Sequence, residues 1–329
     1  PVFFFKQKPA YEIGVRLVGS EMCIRHRIRR IRRYSETSDW ASRLGAGMKS
    51  NPVGLSSYCR THRRFGGRFV RFAPPYAYRI KHAMTQDAEN TLPLLFNPIS
   101  IRGVRARNRV VVSPMCQYHS DDGGPTDWQF MHLGRLAAGG AGIIFGEETA
   151  VERRGRKTYL CAGIYKDEHV PAFRRINDFI REQGAVPAIQ IGHSGRKASC
   201  HAATKDWSPL TQADAADGLA PWQGIAPSAI GGEPREYLPK AMDRGDIKAV
   251  LNAYRECCQR SLDAGYEIVE VHGAHGYLIH QFLSPVSNHR NDAYGGDREG
   301  RMRFALEVAE VVRDAWPNDK PVFYRVSSV

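Results

Sequence analysis

The sequence predicts a (β/α)8 TIM barrel of which about five of the eight βα units lie in this chain, and three observations carry that prediction. From about residue 92 onward strand-like and helix-like segments alternate, no G-x-G-x-x-G follows the first strand, and polar residues stand at the ends of successive strands. Alternation implies parallel strands joined by crossover helices, which close as an open doubly wound sheet or as a barrel. The first strand runs into SPMCQYHSDDGG rather than a dinucleotide fingerprint. Ser113, Glu147, Gln190, His272 and Arg325 converge as the rim residues of a barrel would.

Each element follows from its pattern. Residues 110–112 are β-branched and read as the first strand, and 126–136 read as a helix opened by Thr126 or Asp127. Residues 142–145 are again strand-like. A helix with Phe173, Ile176 and Ile180 on one face precedes a third strand over 186–191. Ile247, Val250, Leu251, Tyr254 and Cys258 recur at helical spacing until Gly265, and the fourth strand opens at Ile268. Ala305, Val308, Ala309, Val312 and Trp316 mark the next helix, and 322–326 the fifth strand. Residues 192–245 break the rhythm: Pro209, Pro221, Pro227, Pro234 and Pro239 interrupt a stretch without period, as in a long loop or lid at the functional face.

Composition narrows the function classes. The formal net charge of +13 is concentrated, because residues 1–90 hold 18 Lys and Arg against 6 Asp and Glu, while the other 239 hold 29 against 28. The basic leader carries neither interleaved aromatics nor a nucleic-acid-binding motif, so no nucleic-acid partner is read from it. Residues 1–28 show no amphipathic period and no secretory core; they resemble the conceptual translation of a sequencing-library adapter. An Arg- and Ser-rich stretch containing Arg29, Arg30, Arg32 and Arg33 continues to residue 83, and Met84 opens MTQDAENTLPLLFNPISI. The reading is a non-native or disordered leader over 1–83 and a natural start at Met84, against the competing reading of a transit peptide. Seven scattered cysteines without C-x-x-C fit a reducing, cytoplasmic compartment. No apolar stretch approaches the roughly 20 residues of a membrane span, so no membrane partner is expected.

The fourth strand carries the chemistry. In EIVEVHGAHGYLIHQFLSP, residues 267–285, period two places Ile268, Glu270 and His272 on one face and Val269 and Val271 on the other. The run ends in His272, His275 and Tyr277. H-x-x-H could be a metal pair, yet no third ligand stands nearby in the sequence and the motif is not on a helix; a structural histidine pair is the other plain reading. Taken alone, Cys116 reads as a small buried hydrophobe and Gln190 as a satisfied core amide. An inward Arg325 needs an anionic or acceptor partner, and Glu270, which also faces inward, would be that partner's rival.

Four motifs together, SPMCQY (113–118), GHSGRKAS (192–199), HGAHGYLIHQFLSPVSNHRNDAYGG (272–296) and VFYRVS (322–327), resemble the old yellow enzyme family of FMN-dependent NAD(P)H:enone oxidoreductases. The cysteine after the first strand resembles its bacterial-type branch, and the resemblance covers about residues 92–329. It implies a TIM barrel with FMN at the C-terminal ends of the strands, NADPH or NADH as reductant, and a small-molecule electrophilic alkene as substrate. Ser113, Pro114, Met115 and Cys116 would line the flavin, Gln190 would bond its edge, and Arg325 would sit near its N1 and C2 carbonyl. His272 and His275 would grip the substrate oxygen, Tyr277 would donate a proton and Tyr118 would bond the substrate. No metal is implied, and a homo-oligomer stays open for the full-length protein.

That chemistry asks for these residue types. Hydride arriving at the β-carbon of an enone pushes negative charge onto the carbonyl oxygen, where two preorganised N–H donors stabilise it. A phenol then supplies the proton to the α-carbon. Departures from the family pattern are Glu148, where a small residue is usual and contact is expected through the backbone, and Gly300, where Asn is usual and a weakened turn is expected. The units around strands seven and eight, which form the phosphate site in this family, are not among the five. The expectation is that a protein of these 329 residues would be inactive and would not retain FMN.

Overall fold

The computed structural model describes residues 93–231 and 237–328. The readings of the leader 1–83 and of a start at Met84 lie outside them. In chain order the elements are β1 (Ile99–Ile101), β2 (Val104–Ala106), β3 (Val111–Val112), α1 (Asp127–Ala138), β4 (Ile143–Ala150), α2 (Val170–Glu182), β5 (Val186–Gly192), β6 (Ile225–Ala226), β7 (Lys240–Ala241), α3 (Arg244–Asp263), β8 (Ile268–Gly273), α4 (Leu278–Leu283), α5 (Arg298–Ala315) and β9 (Val322–Val326).

One parallel sheet holds β3, β4, β5, β8 and β9 in that order, so each βα unit lays its strand beside the preceding one, as consecutive units of a (β/α)8 barrel do. Period two sorts the side chains. Ile143, Phe145, Val186, Ala188 and Ile268 share an inner cluster with Phe323. Ile144 faces outward to Leu133, Ala137, Ile176 and Ile180 of α1 and α2. Ile189, Ile191, Val269 and Val271 pack on α3, α4 and α5 through Val250, Tyr254, Phe282, Phe304 and Val308. Phe282 and Phe304 stack with centroids 4.3 Å apart, each fully buried and contributing about 2–3 kcal/mol of transfer free energy.

Three features go beyond or correct the sequence reading. The antiparallel hairpin β1–β2 was not anticipated; its Ile99, Val104 and Ala106 join the inner cluster, and Gly103 N–H donates to Asp319 O (2.7 Å) just before β9. It therefore floors the sheet at the N-terminal ends of the strands. The long loop is shorter than 192–245, because Gly192 belongs to β5 and Arg244 opens α3, and it contains 3-10 turns and the two-residue parallel pair β6–β7. Gly300 is not a weakness: its N–H donates to Asp297 Oδ1 (2.8 Å) in the first turn of α5, and a Cβ there would run into the carbonyl oxygen of Gly295.

Helix starts obey the capping rules that made them legible. Thr126 Oγ1 accepts from Trp128 N–H (3.3 Å), while Gln129 Oε1 accepts from Thr126 N–H (2.8 Å). Asp243 and Asp246 cap α3 reciprocally.

The inner face changes character towards the C-terminal ends. Register aligns Glu148, Gln190 and Glu270 in one row across β4, β5 and β8, and His272 with Arg325 in the next. Along β4 the register slips between Phe145 and Glu148, so three residues there oppose two on β5. Such a bulge interrupts strict alternation, and both Glu147 and Glu148 end up buried.

Candidate active site

Gln190 and Arg325 meet on one acid. Gln190 Nε2 donates to Glu270 Oε1 at 2.6 Å, and Arg325 Nε stands 3.7 Å from the same oxygen. Burial pushes the Glu270 carboxyl up, against the pull of Arg325 and Gln190. At 3.7 Å the Arg325 contact is too long for a hydrogen bond, and no other acid among the described residues comes within 4.0 Å of its guanidinium. Glu270 thus meets Arg325 as the rival that its inward position suggested, and it leaves the guanidinium loosely held.

His272, His275 and Tyr277 form one cluster past the end of β8. The His272 ring lies 5.0 Å from that of His275, at 84°, and 5.0 Å from that of Tyr277, at 74°. Ala274 N–H donates to His272 Nδ1 (3.4 Å), which fixes the neutral tautomer with its proton on Nε2. Burial first, then His275, Arg325, Lys197 and His280, hold the His272 pKa down to about 3. Burial and Arg325 lower His275 as well. Both imidazoles are therefore neutral N–H donors near pH 7.

The turn that carries them is clamped from several sides. His275 adopts φ 58°, its N–H donates to Ser327 Oγ (3.1 Å), and its carbonyl accepts from Lys197 Nζ (2.8 Å). Buried Gln281 donates to Gly276 O (2.7 Å) and Ser194 O (3.2 Å) while accepting from Arg196 N–H (3.0 Å), tying this turn to the one after β5. Tyr277 caps α4, and burial followed by the nearby Glu148 raises its phenol, which stays protonated.

The segment after β3 is held from below. Glu147 Oε2 accepts from Gln117 N–H (2.9 Å) and Oε1 from Gln129 Nε2 (3.1 Å), and burial lifts its carboxyl to about 7. Tyr118, at φ 55°, meets the Trp207 ring edge-on at 5.0 Å. Cys116 is half-buried, and desolvation, then Cys161 and Glu148, keep it a thiol. Pro114 is half-buried, whereas Ser113 and Met115 are exposed beside Gln129, His132 and Leu133 at the edge of the sheet.

Glu148 contributes more than the expected backbone. A Cβ built on Gly192 would lie 2.6 Å from Glu148 Oε1 and 3.2 Å from His272 Cβ, which places the carboxyl among the strand ends beside His272. Desolvation, then Glu147, lifts it to about 8.

The site thus gathers Tyr118, Cys116, Glu148, Gln190, His272, His275, Tyr277 and Arg325 at one end of the sheet. Sequence reasoning missed the supports. Gln281 and Lys197 sit inside motifs already singled out; Lys157 and Trp207, which meet at the rim, belong to no period or motif. Among the described residues, no group of three or more His, Cys, Asp or Glu is placed to hold a metal ion, and no helix is long and apolar enough to cross a membrane.

A parallel sheet with donors and acids gathered at its carboxyl ends is the plan on which barrel enzymes build their sites. The chain belongs to the NADH:flavin oxidoreductase / NADH oxidase family, whose profile matches residues 94–329. It is 41% identical over 249 residues to an NADH:flavin oxidoreductase of Gibberella zeae, covering 75% of this chain and 59% of the relative. An NADPH dehydrogenase of Geobacillus sp. is 41% identical over 237 residues, covering 71% and 63%, and one of Bacillus subtilis is 38% identical over 236, also 71% and 63%. Morphinone reductase superposes with a TM-score of 0.61 at 28% identity, over 71% of this chain and 62% of its own. The old yellow enzyme of Pichia sp. gives 0.61 at 28%, over 71% and 59%. The chain therefore spans about three fifths of the length of these relatives.

Proposed function

We propose that the protein is an FMN-dependent oxidoreductase that takes electrons from NADPH or NADH and reduces activated alkenes such as enones and nitro compounds. The donor set fits FMN: Gln190 and the loosely held Arg325 present N–H groups on neighbouring rows of the inner face, matching the acceptor-rich pyrimidine edge of a flavin. Ser113, Pro114, Met115, Cys116 and the backbone at Glu148 would line the ring. When bound, FMN supplies the hydride.

The chain's own residues do the rest. His272 Nε2–H and the His275 ring donate to the carbonyl or nitro oxygen of the substrate, and being neutral they bind it without first losing a proton to it. Tyr277, held protonated, delivers a proton to the α-carbon, and Tyr118 orients the substrate from the opposite side. Burial raises the carboxyls of Glu148 and Glu270, and Glu270 Oε1 accepts from Gln190 Nε2.

The observation that carries this reading is the cluster of His272, His275 and Tyr277 past the end of β8, with Ala274 N–H donating to His272 Nδ1. The test is anaerobic, with FMN supplied in excess because the phosphate-site units are not among the five strands described: the protein is mixed with NADPH and then with 2-cyclohexenone while the visible flavin bands are followed. Bleaching by NADPH and recovery on adding the enone are expected. Bleaching without recovery by any enone or nitroalkene would overturn the alkene assignment, and no bleaching would overturn the reductase.

A further inference from the structure

Lys157 stands at the rim of this site with no ion-pair partner among the described residues. It is half-buried, and its Nζ lies 3.2 Å from the centroid of the Trp207 ring. No carboxylate among the described residues comes within 4.0 Å of that Nζ. Trp207 in turn packs edge-on against Tyr118 and is itself held at φ 60°, so the lysine is positioned rather than trailing in solvent. Burial pushes the Lys157 pKa down, and Cys161, Cys116, Cys200 and Glu148 act against that. Cys116 and Cys161 are kept as thiols by burial, and Glu148 holds its proton to about pH 8, so none of these three neutralises the ammonium near pH 7. An ammonium taken partly out of water needs an anion, and no ion pair is made to it among the described residues.

We propose that Lys157 is a specificity-determining residue: seated on Trp207 beside Tyr118, it takes a carboxylate carried by the alkene substrate, so that the protein prefers acidic enones to neutral ones. This rests on the alkene-reductase reading. The geometry separates the two ends of such a substrate. The oxygen to be activated lies with His272 and His275, and the carboxylate reaches the Tyr118–Trp207–Lys157 side.

The experiment compares 4-oxo-2-pentenoate with its methyl ester in calorimetric binding and in turnover, using the FMN-loaded wild type, Lys157→Met and Lys157→Arg. The wild type is expected to bind the carboxylate about ten- to a hundred-fold more tightly than the ester, the range of a charge-assisted hydrogen bond. Lys157→Met should bring that ratio to about one, and Lys157→Arg should keep most of it, which also shows that the loop tolerates substitution. A ratio unchanged in Lys157→Met, or a wild type that favours the ester, overturns the proposal. So does a Lys157→Met effect confined to NADPH over NADH, which would assign the cation to the reductant's phosphate. Carboxylate-selective binding without turnover of either compound would uphold Lys157 and refute the reductase reading, whereas turnover without selectivity would do the opposite.

Discussion

Replacing Glu148 by Gln is expected to stabilise the flavin-free protein at alkaline pH while leaving it almost unchanged at pH 5. Glu148 is 6% exposed, and its carboxyl is pushed from 4.5 to about 8, by desolvation first and by Glu147 second. A carboxyl raised in this way binds more protons in the folded chain than in the unfolded one between those two values. Stability is therefore intact below about pH 4.5 and falls as the pH climbs to 8, the reverse of a salt-bridged acid. At about 1.4 kcal/mol per pH unit the whole interval is worth at most ~5 kcal/mol. Relaxation that admits water to the carboxylate lowers this, and a gain of about 2 kcal/mol at pH 9 is expected for the neutral isostere. Urea unfolding followed by far-ultraviolet circular dichroism at pH 5, 7 and 9 reads the difference, as a rise of about 1 M in midpoint at pH 9. Coincident midpoints at pH 9, or an equal gain at pH 5, would show that the carboxyl does not hold a proton in the fold.

Other outcomes follow from the same geometry. Removing one oxygen-binding donor with His272→Ala is expected to lower kcat about 100- to 1,000-fold in steady-state alkene reduction; an effect below threefold would displace His272 from the site. Because His272 stays neutral down to about pH 3, the wild-type kcat/KM profile should show no histidine-like inflection between pH 5 and 8, and one near 6.5 that vanishes in His272→Ala would contradict its assigned state. Tyr277→Phe is expected to slow the step that reoxidises the flavin about 100-fold in rapid mixing, with flavin reduction by NADPH little changed. Tyr254 Oη is buried with no hydrogen-bond partner among the described residues, so Tyr254→Phe should raise stability by about 1 kcal/mol in urea titrations, and a loss above that size would reveal a partner.

What could be read from the sequence was what depends on period and local capping. The five parallel strands, α1 with its Thr126 cap, and the separation of Ile268, Glu270 and His272 from Val269 and Val271 all follow from alternation and helix-start chemistry. The histidine–tyrosine cluster was legible because His272, His275 and Tyr277 lie within six residues. Glu147 was read as a rim residue and Glu148 as a backbone contact, but that both side chains are buried was not legible, since alternation sends neighbours to opposite faces and only the slip against β5 brings both inside. Whether Glu148 reaches the site depends on that slip and on Gly192 leaving room for it. The hairpin β1–β2 escaped because two three-residue strands offer too few positions for a period to emerge. The contact of Lys157 with Trp207 joins residues 50 apart through a loop with no pattern, so no spacing rule could announce it.

The left-handed backbone at Tyr118, His275 and Trp207 bears on how this protein can change over time. Each of these positions holds a shape that glycine adopts at less cost, by about 1–2 kcal/mol. Selection for thermal robustness and selection for turnover therefore pull on the same three codons in opposite directions. A directed-evolution campaign screened on melting temperature alone would be drawn to these rim positions first, and each step that succeeded there would remove a side chain that the proposed reaction needs.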